Sequence, residues 1–414
     1  MKLFYNVIIL LCAVKSIAQT PISVKTILKT AFQDEKYRLN QALSQHATSL
    51  NYSLPLLQKS EIRLGADDNS TTQQQFGINL FFNTYRETQY QAVWKTARIH
   101  SISMQDQWFL HDALASRYRC LIDIYFDDQF LTHYRRLDTL LEQENVLFQA
   151  SIERGAEIEM KEVFRNETDR NETANGLLES DKSRQSAYRS LTYWLGQPVQ
   201  NIDFQNFIII DSIQKVIESL PIAVNHPEIR ARNGQIALYD ANLKLDKIEK
   251  IKILSGIQLG VQREFRNLAW EMSPFARITF NVPIMGNYRR DWNEIDLRRR
   301  EVENRISVLR YEANKDIGNQ RLAIQNLLKQ YDVLLKKQKN NLMDRILKNP
   351  KVAAEIPVND LIRIQVIQQK NELTRLKVAQ DIVKTYLDIL TISGQLSTSP
   401  LKDYLHKQLE IIDF

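Results

Sequence analysis

Between Pro55 and Pro198, and again between Pro283 and Pro350, the chain contains no proline. Proline removes a hydrogen-bond donor and clashes with the preceding turn, so its absence permits very long unbroken helices in both stretches. From Tyr288 onward Val302, Ile306, Leu309, Ala313, Ile317 and Ile324 step mostly by three and four, and Leu328, Tyr331 and Leu335 continue the row. That is a narrow apolar stripe on a charged rod. About 60 helical residues reach ~90 Å, too long to fold back into a small globule. Such rods must pack side by side in a coiled-coil-like wall.

The two stretches belong to one plan written twice, at an offset of about 200 residues. Each copy reads as a helix, two alternating strands, a very long helix, a turn and a returning helix that ends at a glycine. Leu195-Gly196 closes the first copy and Ser393-Gly394 the second. Asp34 to Leu50 is the helix ahead of the first strand pair, and Pro227, a favourable first helical residue, opens its counterpart. The expected organisation is a first repeat over 19–200, with a hairpin at about 54–83, a long helix at about 85–153 and a return helix at about 158–196. A connector follows over 201–225. The second repeat spans 226–396, with a hairpin at about 252–284, a long helix at about 288–348 and a return helix at about 358–393; a tail occupies 397–414. Phe207 to Ile210 and Leu409 to Ile412 are expected to be short strands collaring the rods.

The strand pairs carry the functional information. Ile257, Leu259 and Val261 alternate with Gln258, Gly260 and Gln262, and Ile278, Phe280, Val282 and Ile284 alternate with Arg277, Thr279 and Asn281. In the first copy Phe76, Ile78, Leu80 and Phe82 alternate with Gln75, Gly77 and Asn79, and a weaker partner strand surrounds Ile62 and Leu64. Period-2 amphipathicity suits either a soluble hairpin on a core or a barrel strand with its apolar face in lipid. Two hairpins separated by long helices leave edges that lipid does not tolerate, so membrane use requires a closed sheet. Four strands cannot enclose a passage, whereas three copies supply twelve. The polar loop Asp67 to Gln74 and the loop Arg263 to Pro274, with Trp270, are the expected external connections.

Met1-Lys2, the apolar run Leu3 to Val14 and Ser16-Ile17-Ala18 form a secretory signal over 1–18, cut after Ala18. Cys12 inside the run follows Leu11, where a lipoprotein signal would carry a small residue. The exported chain then has one cysteine, Cys120, and no internal disulfide. Mean hydropathy is −0.37 and no later segment approaches a spanning helix, so membrane insertion would need strands. The net charge of +6 comes from interspersed charges, which argues against nucleic-acid binding. Arg298-Arg299-Arg300 reads as a solvated helix face.

No Gly-rich phosphate loop, HExxH, G-x-S-x-G or CxxC occurs, and no enzyme, cofactor or metal site is expected. His100, His111 and His133 recur near one helix face, but even the eleven residues of helix between His100 and His111 span ~16 Å, too far to share an ion. Asn166-Glu167-Thr168 and Asn171-Glu172-Thr173 fit glycosylation sequons and are expected on a solvated helix surface.

Phe275 to Arg289 (FARITFNVPIMGNYR) resembles the strand-to-helix junction of the TolC-like outer-membrane efflux protein family. The strand ends at Pro283, followed by Ile284, Met285 and Gly286; proline stops the ladder and glycine turns the chain. His226-Pro227-Glu228 with Ala237, Ala241 and Leu243, and Tyr386-Leu387-Asp388 through Gly394-Gln395-Leu396, are similar to further family signatures. The first junction departs from the pattern, carrying Phe82, Asn83, Thr84 and Tyr85. The resemblance implies mainly helical protomers with four strands each, assembled as a homotrimer into an α-barrel and a 12-stranded β-barrel. It implies an exit duct in the outer membrane of a Gram-negative bacterium, serving efflux or type I secretion, with outer-membrane lipid, a periplasmic adaptor and an inner-membrane pump as partners. It also places the periplasmic entrance at the turns Arg154 to Glu157 and Asn349 to Asp360, with Asp360 as a gate carboxylate and Arg363, where a second acid is usual, offsetting it. An ordinary surface aspartate near a helix start is the other reading of Asp360. A soluble periplasmic coiled-coil scaffold or adaptor that forms no pore is the alternative for the whole chain.

Overall fold

The computed structural model describes residues 21–50, 54–55, 57–66, 73–155, 159–208, 210–219, 226–252, 254–266, 269–280, 285–339, 342–349 and 354–412. In chain order the elements are β1 (Ile22–Ser23), α1 (Val24–Lys29), α2 (Glu35–Ser49), β2 (Leu57–Ala66), β3 (Gln73–Phe82), α3 (Tyr85–Glu153), α4 (Met160–Leu195), β4 (Ile202–Asp203) and α5 (Ile210–Ser219). They continue with α6 (Pro227–Lys250), β5 (Leu254–Arg266), β6 (Ala269–Phe280), α7 (Met285–Lys339), α8 (Leu342–Lys348) and α9 (Val358–Ser393). Helix α3 has 69 residues and so runs for ~100 Å. Helices α4 and α9 have 36 residues each, and both stop at a left-handed glycine, Gly196 at φ 67° and Gly394 at φ 75°. There a side chain would be strained, so glycine ends each copy at the same point.

The chain divides into two compact units. One takes in residues up to Tyr37 with Phe109–His226 and Ala313–Phe414. Its core is a helix wall: Leu114, Tyr118, Leu121 and Ile122 of α3 meet Leu191 of α4 and Ile382, Tyr386 and Leu390 of α9. A smaller cluster joins Leu137, Leu140 and Leu141 to Ile362 and Val366. Ile317 and Ile324 of α7 are buried as its stripe requires, with Gly318 and Asn319 between them exposed. Arg117, 2% exposed, donates to Asp34 at 2.9 Å and lies 4.3 Å from the centre of the Trp194 ring, which ties the N-terminal segment to α3 and α4.

The expected collar strands are reduced to single bridges, Phe207 with His406 and Lys402 with Ile411, beside the short parallel pair β1–β4. Ile210 opens α5 instead of extending a strand, because Phe207 stacks on Tyr125 at 3.8 Å and the next apolar positions follow helical spacing. Asn166 also departs from expectation. It is 2% exposed and donates to Leu141 O and Glu144, whereas Asn171 is exposed.

The second unit comprises Arg38–Trp108 and Pro227–Glu312. Here β2, β3, β5 and β6 form one antiparallel sheet in that order, so the hairpins of the two copies pair through β3 and β5. Strands β5 and β6 pair as far as Arg266 with Ala269. The expected loop from Arg263 to Pro274 is therefore corrected to two strand ends, which run to Arg266 and from Ala269. Trp270 stands on a strand, opposite Phe265 at a ring distance of 5.3 Å. Its polar neighbours break the sequence alternation, yet the cross-strand pairs Arg263 with Met272 and Glu264 with Glu271 keep the ladder going.

Candidate functional site

Directly opposed residues of an antiparallel ladder share a face, which assigns every side chain of the sheet. One row joins Ile62, Ile78, Leu259 and Ala276; the next joins Leu64, Phe76, Val261 and Pro274; a third joins Ser60, Leu80, Ile257 and Ile278. On this face Ile62 is 77% exposed, Leu64 73% and Ile278 56%. The opposite face carries Glu61, Asn79, Gln258 and Arg277, then Arg63, Gly77, Gly260 and Phe275. A sheet in water buries its apolar face, and this one leaves it exposed; on the other face Asn79 is 8% exposed while Arg63 and Arg277 are open to solvent. From Trp270 to Phe280 the strand spans ~34 Å, which at a typical barrel tilt matches the ~25 Å apolar band between aromatic girdles.

Glycine has a packing role on the polar face. A Cβ on Gly260 would overlap both the carbonyl of Phe76 and the ring of Phe275, so the bare position at Gly260 lets the Phe275 ring cover the backbone.

The strand-to-helix junctions are built differently. Pro283 lies outside the described residues, and Gly286 falls in the first turn of α7, which starts at Met285. At the first junction Thr84 and Glu87 make a reciprocal capping box: Thr84 N–H donates to the Glu87 carboxylate and Glu87 N–H to Thr84 Oγ1. Asn83 Nδ2 donates to Pro55 O at 2.7 Å. These bonds take the place of the missing proline and glycine. Glu87 is 3% exposed, and Lys252, just before β5, reaches both it and the Phe82 carbonyl. This site was missed from the sequence, where the pattern Thr84-x-x-Glu87 could have signalled it.

At the helix ends of the other unit, Asp360 lies exposed in the first turn of α9, and Arg363 follows one turn later. The Arg363 guanidinium lies against Glu162 of α4 and is 3.4 Å from Glu144 of α3. Glu144, 3% exposed, also accepts from Asn166 at 2.8 Å and lies 3.6 Å from Arg165. The arginine expected to offset Asp360 is thus engaged with two other carboxylates, and three helices meet on one buried glutamate.

Among the histidines, His111 is fully buried with Nε2 at 3.0 Å from Thr391 O, His133 pairs with Gln369, and His100 is exposed. Arg299 lies within ion-pairing distance of Asp240, Asp296 and Glu303, and Arg298 and Arg300 pair one turn back along α7. No helix among the described residues is long and apolar enough to cross a membrane, which leaves the sheet as the apolar surface of interest.

No protein-family model and no curated protein matches the sequence. Similar solved structures include the open-state MtrE outer-membrane channel of Neisseria gonorrhoeae, at 13% identity and TM-score 0.62 over 90% of this chain and 88% of that one. The outer-membrane channel OprN matches at 11% identity and TM-score 0.63, covering 90% of this chain and 89% of its own. The CmeC outer-membrane channel of Campylobacter jejuni matches at 10% identity and TM-score 0.61, over 94% and 87%. The likeness spans both copies of the repeat, hairpins and rods together, and the chain therefore has the fold of the TolC-type outer-membrane channels.

Proposed function

We propose that this protein is an outer-membrane exit duct, assembled as a homotrimer, through which an efflux or type I secretion system passes its substrate. The observation that carries the reading is the outward apolar face of the four-stranded sheet, rows Ile62–Ile78–Leu259 and Leu64–Phe76–Val261, ended by Phe265 and Trp270. A soluble scaffold would have this face against a core; an edge-free sheet in lipid needs it outside. Three copies of the four strands would close a barrel around the polar face, with the outer strands β2 and β6 pairing between protomers.

Transport in this reading is passive, and no side chain performs covalent chemistry. Energy comes from an inner-membrane pump, coupled through a periplasmic adaptor that docks on the helix ends. The Arg363–Glu162–Glu144 contacts hold the start of α9 to α3 and α4, and so keep the periplasmic entrance narrow. Asp360, exposed one turn earlier, supplies the pore-facing negative charge. The first test is fractionation: the protein should partition with the outer membrane and run as a heat-modifiable trimer. A monomer in the soluble periplasmic fraction would return the soluble scaffold.

A further inference from the structure

A groove of about 420 Å³ runs between α3, α4 and α9, lined among others by Asp127, Phe130, Tyr134, Glu179, Ser183 and Lys384. Asp127 is 5% exposed, and its Oδ2 has no hydrogen-bond partner among the described residues. A buried carboxylate oxygen left in this state is costly unless something occupies the space in front of it.

The charges around it do not supply that partner. On α3, Asp123 is matched by Lys384 of α9 at 2.9 Å, and Asp128 by Arg184 of α4 at 2.5 Å. In the lining, Asp127 and the exposed Glu179 of α4 stand against Lys377 and Lys384 of α9, and Lys384 is already paired with Asp123. Burial pushes the Asp127 carboxyl up to about 6, with Ser183 and Lys384 pulling it back and Asp123 and Asp128 adding to the rise. At neutral pH it is still mostly ionised.

The walls are aromatic. Phe130 and Tyr134, one turn apart on α3, have ring centres 6.3 Å apart. A Cβ on Gly176 of α4 would overlap the Tyr134 ring, so a glycine in mid-helix, where alanine is the better helix former, gives that ring its seat. A metal ion does not fit, because no three His, Cys, Asp or Glu side chains among the described residues are grouped to hold one. An ammonium needs less: one carboxylate, hydroxyl acceptors such as Ser180 and Ser183, and an aromatic face.

We propose that this groove binds an alkylammonium group, with Asp127 Oδ2 as its counter-ion, Phe130 and Tyr134 as its flanks and Glu179 at the rim. The site does not depend on the channel reading, and a soluble protein with this helix wall would have it equally.

The test is a saturation-transfer NMR titration of n-butylammonium chloride against the full detergent-solubilised chain at pH 8, with n-butanol as the uncharged control. Wild type should bind n-butylammonium and not n-butanol, and binding should fade below pH about 6 as Asp127 takes up its proton. Asp127→Asn should weaken binding by roughly 10-fold or more, the loss of a charge-assisted hydrogen bond. Absence of binding to wild type, equal binding of butanol, or unchanged affinity in Asp127→Asn overturns the proposal. If Asp127→Asn does not fold, Tyr134→Leu decides: weaker binding supports the site and unchanged binding overturns it.

Discussion

Lys252 Nζ lies 3.3 Å from Glu87 Oε2, and through this contact the second copy of the repeat holds the first helix turn after the first hairpin. Both side chains are largely withdrawn from solvent, at 13% and 4% exposure. Removing one partner leaves an uncompensated charge, which in buried pairs is strongly destabilising. Glu87→Ala should lower stability by about 3 kcal/mol, and Glu87→Ala with Lys252→Met should recover part of it. Thermal unfolding of wild type, Glu87→Ala, Lys252→Met and the double variant checks this; additive losses would show that the two residues are not coupled.

The apolar face can be challenged at single positions. Leu259 and Gln258 are neighbours on β5 with side chains on opposite faces. Leu259→Arg should reduce insertion and trimer yield, since arginine at mid-bilayer on a barrel's lipid face costs ~2–4 kcal/mol. Gln258→Arg should assemble normally. Equal yields of the two variants would contradict the assignment of faces.

Arg363 joins α9 to both α3 and α4, so Arg363→Ala should loosen the helix ends and raise conductance or antibiotic leakage. Asp360→Ala should instead reduce block by added cations, with little change in assembly. Unchanged conductance and block in both variants would remove these residues from the gate.

Asp403 is 5% exposed and burial pushes its carboxyl up to about 6 from an ordinary 3.8. The folded state therefore binds its proton more tightly than the unfolded state, so this group's contribution to stability falls as pH rises from 3.8 to about 6. Asp403→Asn, which can still accept from Leu405 N–H, should be more stable than wild type at pH 8, by at most about 3 kcal/mol. The advantage should vanish near pH 4. A pH-independent difference in melting temperature would contradict the assignment.

What the sequence made legible was periodic. The stripe through Ile306, Ile317 and Ile324, the alternation at Phe76 to Phe82, and the glycines at 196 and 394 each follow from local rules of helix, strand and cap, and the structure carries all three. Non-local partners were not legible. Nothing about Arg263 to Pro274 read alone marks it as strand, because its polar residues are held by cross-strand pairing. Asn166 looked like a surface sequon residue until Leu141 and Glu144 were placed beside it. Asp360 and Arg363 are one helical turn apart in sequence, yet the arginine's partners come from helices some 200 residues away. The capping box of Thr84 and Glu87 follows a local pattern that went unread in the sequence, and the burial of Glu87 under Lys252 spans 165 residues.

The central claim is that three copies form a conducting duct, and single-channel recording of the purified protein in planar lipid bilayers tests it most directly. The account predicts discrete, long-lived conductance steps from the trimer fraction, enlarged or prolonged in Arg363→Ala. A trimer that inserts into bilayers without steps, or a protein that remains monomeric and never inserts, would contradict it.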